Sequence, residues 1–157
     1  MKIILVGKAA SGKDFLKSKM ERKGFRTGVS HTTRPARPGE VDGVDYHFVD
    51  DVKFIEMIGQ EKFIEYMEFN GWFYGQTEED FNSSDVMIMS KDGLDMLPKV
   101  YRDQCIVIYL DVPMTERLKR LSSRDDKNDS IERRITTDEA QFHEFTDYEI
   151  RITNPDF

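Results

Sequence analysis

The sequence predicts an α/β fold with a largely parallel sheet. Short β-branched apolar runs such as KIILV, VMIMS and CIVIYLDV suit strands buried on both faces, segments of helical spacing alternate with them, and the first run leads straight through a glycine-bearing turn into a helix. At 157 residues the chain predicts one domain with a real core rather than two.

KIILVG is too short for a signal peptide and runs directly into the following turn, so it reads as a strand. KDFLKSKMERKG places Phe15, Leu16 and Met20 on one helical side and stops at Gly24. TGVSHTTR and VDYHFVD read as strands around the turn-rich PARPGEVDG. DVKFIEMIGQ is a short helix with Asp50 or Asp51 as its N-cap. KFIEYMEF and WFYGQ are joined by Asn70-Gly71, the strongest short-range hairpin signal. VMIMS and CIVIYLDV are buried strands, PMTERLKRLSSR and SIERRITTDEAQFHEF are helices separated by the polar DDKND, and YEIRIT is a closing strand. The hairpin-containing stretch, residues 27–77, forms an appended subregion on a core of residues 1–26 and 84–157.

Composition narrows the function classes. The chain is 38% hydrophobic and 34% charged, and no apolar run approaches the ~20 residues of a membrane span. A net charge of −7 argues against general nucleic-acid or anionic-membrane binding but leaves room for an anionic small ligand held by a local arginine cluster. The lone Cys105, inside QCIVIYL, reads as a small buried hydrophobe. No disulfide is possible within one chain, which fits a reducing cytoplasm. His31, His47 and His143 are scattered and carry no assigned chemistry.

GKAASGKD, Gly7 to Asp14, matches the phosphate-binding pattern G-x-x-x-x-G-K-[ST] up to its last letter. A buried strand before it and a helix start after it would converge backbone N–H groups and the helix dipole on an anion. Lys13 supplies a point charge for the β- and γ-phosphates. An ordinary strand–turn–helix corner would also use Gly7 and Gly12, but the glycines, the lysine and the strand together favour the phosphate reading. Asp14 stands where a hydroxyl normally ligates Mg²⁺. The helix dipole favours a carboxylate there by roughly 0.3–1 kcal/mol, and a carboxylate is also a good hard-cation ligand. Asp14 is therefore a candidate Mg²⁺ ligand, directly or through water.

Downstream, Arg34 and Arg37 bracket a turn stiffened by Pro35 and Pro38, so that two guanidinium forks can face one phosphate. Ser30 and Tyr46 add hydroxyl donors. This stretch, SHTTRPARPGE followed by DYHFV, resembles the guanylate kinase family's S-x-T-T-R-x-P-R-x-G-E and D/H-Y-x-F-V. FIEYMEFNGWFYGQT is similar to the family's F-[IL]-E through G-x-x-Y-G-[TS] segment, and the resemblance extends to the final TNPD, covering essentially the whole chain.

The resemblance implies a P-loop kinase three-layer fold with a parallel sheet, an appended mixed-β acceptor-binding subregion and a helical lid near residues 117–134. It implies ATP-dependent phosphoryl transfer to GMP or dGMP with Mg²⁺, in a cytoplasmic monomer or homodimer. Gly7, Ala9, Ala10, Ser11, Gly12, Lys13, Asp14 and Asn154 would bind ATP. Ser30, Arg34, Arg37, Tyr46 and Tyr74 would hold the acceptor phosphate, with Glu40 bracing the arginines. Arg120, Arg124 and Arg134 would close over the ATP phosphates and, with Lys13 and Arg34, carry catalysis. On spacing alone, Arg117, Arg120 and Arg124 share one helix face, which is most often a solvated one. Phosphoryl transfer needs positioning and charge stabilisation, and a phosphate oxygen is already an anionic nucleophile, so no general base is required.

By period-two alternation Glu65 shares a face with Phe63, Met67 and Phe69. A carboxylate on an apolar face needs a partner. The N1–H and N2–H of guanine would supply one, with an ion pair to a loop arginine as the structural alternative. Three departures from the family stand out. Gln76 replaces the Ser or Thr that donates to guanine O6. VMIMSKDG replaces a D-x-D strand end, leaving Ser90 near the second position and Asp92 beyond it, as if the acidic metal ligand had moved to Asp14. The chain ends at Phe157 where the family continues through another helix, which implies an adenine pocket that is shallow or completed by a partner chain. Two rivals follow: a kinase of the same fold with another (deoxy)nucleotide acceptor, or a non-catalytic guanylate kinase-like protein-binding module.

Overall fold

The computed structural model describes residues 1–123 and 130–157. In chain order the elements are β1 (Lys2–Gly7), α1 (Lys13–Arg22), β2 (His31–Thr32), β3 (His47–Phe48), α2 (Asp51–Gly59), β4 (Phe63–Phe69), β5 (Trp72–Thr77), α3 (Glu78–Ser83), β6 (Val86–Ile88), α4 (Lys91–Met96), α5 (Lys99–Arg102), β7 (Cys105–Leu110), α6 (Met114–Ser122), α7 (Ile131–Gln141) and β8 (Ile150–Ile152). Two four-stranded sheets result. One, ordered β6-β1-β7-β8, is parallel throughout. The other, ordered β3-β2-β5-β4, is mixed: β2 runs parallel to β3 and antiparallel to β5, and β4 is antiparallel to β5.

The parallel sheet is buried on both faces, as its continuous apolar runs require. Ile4 and Val6 face a layer with Met87, Val107, Tyr109, Phe142 and Phe145. Leu5, between them, faces Val86 and Leu110, against which Leu16 and Met20 of α1 pack. Phe15, expected beside those two, is instead 55% exposed and approaches the Phe157 ring at 6.4 Å. In the mixed sheet the β4–β5 hairpin turns through Asn70 (φ 53°) and Gly71 (φ 78°), the paired positive φ values of a type I′ turn. Asp50 caps α2 by accepting from the Lys53 N–H, and Phe54 of α2 stacks on Phe63 and Phe73 at 4.5 and 5.3 Å.

Two expectations need correction, and three short helices lie where none was expected. TGVSHTTR is not one strand: Thr27 bridges to Val86 at the edge of the parallel sheet, while His31–Thr32 enters the mixed one. Helices α3, α4 and α5 span six residues or fewer, too short for helical periodicity to register; Thr77 and Ser90 cap the first two. Finally, the β4–β5 register shifts between Phe63 and Glu65. That bulge breaks strict alternation, so Phe63 meets Tyr66 (6.1 Å) and Phe54 instead of sharing a cavity with Glu65. Among the described residues no helix is long and apolar enough to cross a membrane.

Candidate active site

Between the two sheets lies a cleft with two halves. The half beside the phosphate-binding loop is a cavity of about 180 Å³ lined by residues 9–14, Arg34, Arg37, Tyr46, Trp72, Arg133, Arg134 and Asp138, among others. The second, about 210 Å³, is lined among others by Ser30, Glu65, Met67, Phe69, Tyr74, Ser90, Lys91 and Gln141. Ala9, Lys13, Tyr46, Tyr74 and Asp138 border both.

The loop connects the buried strand β1 to α1, turning through left-handed Ala10 and Gly12. Lys13 Nζ donates to the carbonyls of Gly7 (2.7 Å) and Lys8 (3.1 Å). The Ala9 N–H donates to Asp138 Oδ2 at 2.8 Å. Arg120 donates to the Ala10 carbonyl (3.0 Å) and to that of Pro155 (3.2 Å), tying α6 and the segment after β8 to the loop. Ser11 Oγ is buried with no hydrogen-bond partner. Asp14, in the first turn of α1, lines the same half as Arg34 and Arg37. Among the described residues no group of three His, Cys, Asp or Glu is placed to hold a metal ion. Two carboxylates line this half, Asp14 and Asp138, and Asp138 is engaged with the Ala9 N–H, so Asp14 is the one that suits Mg²⁺ once nucleotide phosphates add theirs.

Across the cleft, Arg34 is 3% exposed. It donates to Glu40 Oε1 (2.9 Å) and to the Pro35 carbonyl (2.8 Å), with its guanidinium 5.3 Å from the Tyr46 ring centre. Glu40 Oε2 accepts from the Arg37 N–H at 2.7 Å. Burial pushes the Glu40 carboxyl up, but the hydrogen bonds from Arg34 and Arg37 and their charges outweigh it and hold it below its ordinary value. Tyr46 and Tyr74 meet edge-on at 6.1 Å. Burial raises both phenols, and the Asp14 charge adds to the rise at Tyr46.

At the far end Glu65 is 9% exposed, and burial pushes its carboxyl up to about 7 against the opposing hydrogen bond from the Gln76 backbone. It forms no ion pair among the described residues, so the arginine alternative is not what the fold provides. Gly93 makes its placement possible: a Cβ there would lie 3.0 Å from Glu65 Oε2. Gln76 is fully buried. Its Oε1 accepts from Ser30 Oγ at 2.9 Å, while its Nε2 lacks a partner. Ser30 is thus engaged toward Gln76 and lines the Glu65 half rather than the Arg34–Arg37 half. Ser90 lines the Glu65 half while capping α4.

Of the other expected residues, Arg134 lines the loop half at 7% exposure. Asn154 is exposed and accepts from the Asp156 N–H; it lines neither half. Arg124 lies outside the described residues. Arg117 does not belong to a solvated arginine face. It is 1% exposed and bonds the Val112 carbonyl, Asp138 (3.4 Å) and Glu139 (3.1 Å), locking α6 to α7. Sequence reasoning missed Asp138 and Arg133, both of which line the cleft. Their signal was the polar helix RRITTDEAQ, which reads as a solvated surface until tertiary packing turns one side inward.

The guanylate kinase family model matches residues 1–157. A guanylate kinase of Legionella pneumophila (strain Lens) is 33% identical, over 98% of this chain and 78% of that protein. One from Vibrio cholerae serotype O1 is also 33% identical, over 85% of this chain and 68% of its own length. The crystal structure of guanylate kinase from Anaplasma phagocytophilum shares the fold, with a TM-score of 0.72 at 23% identity over 99% of this chain and 77% of that one. With its phosphate-binding loop, its arginine-bearing turn and a match that runs from end to end, this chain belongs to the guanylate kinase family.

Proposed function

We propose that the chain transfers the γ-phosphoryl group of ATP to GMP or dGMP, forming ADP and the corresponding guanine nucleoside diphosphate. The observation that carries this reading is the shared boundary of the two half-cavities: Lys13 lies where they meet, with Arg34 and Arg37 on one side and the buried Glu65 beyond. ATP would sit on the loop with its phosphates toward Lys13. The acceptor phosphate would meet Arg34 and Arg37, and Tyr46 and Tyr74 border that position. The guanine would present N1–H and N2–H to the Glu65 carboxylate, which adenine cannot do, and its O6 to the unpartnered Gln76 Nε2. The nucleophile is an acceptor phosphate oxygen, so the residues orient two anions and neutralise their charge rather than move a proton.

Asp14 would hold Mg²⁺ together with the ATP phosphates, and the ion would supply positive charge to offset theirs. Arg134 and Arg120 would add positive charge from the α6–α7 side. We place the reaction in the cytoplasm.

The test is an ADP-release assay with Mg-ATP against GMP, dGMP, AMP, CMP, UMP and dTMP. Turnover confined to the guanine nucleotides is expected. Turnover with another base would discard Glu65 as base reader, and tight GMP binding without any turnover would discard the kinase.

A further inference from the structure

Asp138 has no counterpart in the reading above, yet it borders both halves of the cleft. Its Oδ2 accepts the Ala9 N–H at 2.8 Å, and Arg117 Nη1 lies 3.4 Å away. Ala9 N–H belongs to the phosphate-binding loop, and the acceptor it meets is a carboxylate of the protein. The neighbouring Glu139 has a different task. It takes Lys8 Nζ (3.0 Å) and Arg117 Nη2 (3.1 Å), pinning α7 to the loop and to α6 without touching a loop amide. Arg134, one helical turn before Asp138, lines the loop half as well.

We propose that Asp138 competes with phosphate for the Ala9 N–H, so that ATP binds by displacing an internal carboxylate. The inference rests on the loop being the ATP site. One N–H cannot serve two anions, and a carboxylate and a phosphate oxygen in hydrogen-bond range of the same donor repel. Burial pushes the Asp138 carboxyl up, while the Ala9 N–H and the charges of Lys13, Arg117 and Lys8 pull the other way without overcoming it. Its partners thus fall short of offsetting the cost of its burial, which suits a group that yields its place. One turn of α7 thus carries a cation that draws phosphate in and an anion that sets the threshold for its entry.

The test is direct calorimetric titration of ATP and of inorganic tripolyphosphate into the unmodified protein, Asp138→Asn and Glu139→Gln. Asparagine can still accept the Ala9 N–H but carries no charge. Asp138→Asn should bind both ligands about ten-fold more tightly, whereas Glu139→Gln should show no such gain. A merely structural role predicts the opposite sign. If Asp138→Asn melts early, Asp138→Ser, also neutral, carries the same comparison. Unchanged or weaker ATP binding in a variant that melts normally overturns the proposal. So does a several-fold greater Mg²⁺ requirement for ATP binding, which would make Asp138 a metal ligand. Failure of all three proteins to bind ATP would instead defeat the ATP-site reading, and this inference with it.

Discussion

On the acceptor side of the cleft, meaning the Arg34–Arg37 turn, which shares the loop half, together with the Glu65 half, one carboxylate organises the cations: Glu40 bonds Arg34 Nη2 and the Arg37 N–H, and Arg34 also lies against the Tyr46 ring. On the donor side, the loop itself, the groups that would meet phosphate are engaged by the loop's own surroundings. Lys13 is on the Gly7 and Lys8 carbonyls, Ala9 N–H is on Asp138, and Arg120 is on the Ala10 carbonyl. The acceptor side is braced by the protein's own groups; the donor side would exchange internal partners for external ones. Substitutions on the braced side should therefore cost ligand affinity and fold stability together. On the exchanging side they should separate binding from turnover.

The largest effect expected is at Lys13. In Lys13→Met the fold loses two hydrogen bonds to loop carbonyls, but the reaction loses the cation at the junction of both substrates. Loss of a charge-stabilising donor typically costs on the order of 10²–10³ in kcat. We expect a fall of about that size with GMP affinity nearly unchanged, read from steady-state kinetics and GMP titration. A comparable rise in the GMP dissociation constant would break the division between the two sides.

Arg34→Ala should show the reverse pattern. A hydrogen bond to a charged group is worth roughly 1.5–3 kcal/mol, so GMP affinity should fall by tens- to hundreds-fold. The melting temperature should drop as well, because Glu40 loses its closest guanidinium. Arg34→Lys would keep the charge and lose the planar fork, and should recover only part of either loss. A loss of affinity with unchanged melting would show that Arg34 is not braced in the sense argued here.

How far each side could be read from the sequence follows the same line. The loop and the Asn70-Gly71 turn depend on residues adjacent in the chain, where backbone geometry dictates residue type, and both appear where the pattern put them. The buried strands were equally plain, because a sheet covered on both faces demands unbroken apolar runs. Asp138 was not legible, since its meaning comes from Ala9, far away in sequence, and RRITTDEAQ has the composition of an exposed helix. Arg117 was misread for a related reason: spacing puts it on a face with Arg120, but only packing shows that face buried against α7. The bulge at Phe63 and Glu65 also escaped, because a one-residue register shift leaves no trace in an alternating pattern, although Glu65 still reached the cavity. Gln76 could be recognised as a departure from the family, but its bond to Ser30 could not.

The smallest effect, and the sharpest, concerns pH. Glu65, in one half, and Glu40, behind the Arg34–Arg37 turn of the other, are both carboxylates of the acceptor side, yet their environments push them in opposite directions. The Glu65 carboxyl is raised by burial to about 7, against an ordinary 4.5. Between those values the folded chain keeps a proton that the unfolded chain has released, so stability without ligand should fall as pH rises through this window and level off above it. The ceiling on that change is on the order of 3 kcal/mol. Glu40, held below its ordinary value by Arg34 and Arg37, contributes stability that is present above the ordinary carboxyl range and lost as pH falls through its folded value. GMP binding should follow Glu65 in the other sense, because N1–H and N2–H need the carboxylate. Affinity should rise several-fold from pH 6 to 8, with a proton released on binding near pH 6.5. Melting curves across pH and calorimetry in two buffers of different ionisation enthalpy read the two effects separately. In Glu65→Gln both should flatten while the Glu40-dependent loss below pH 4.5 remains. If the proton release survives that substitution, the titrating group lies elsewhere in the cleft, and the base end of the acceptor side is not read by a carboxylate that changes charge when guanine arrives.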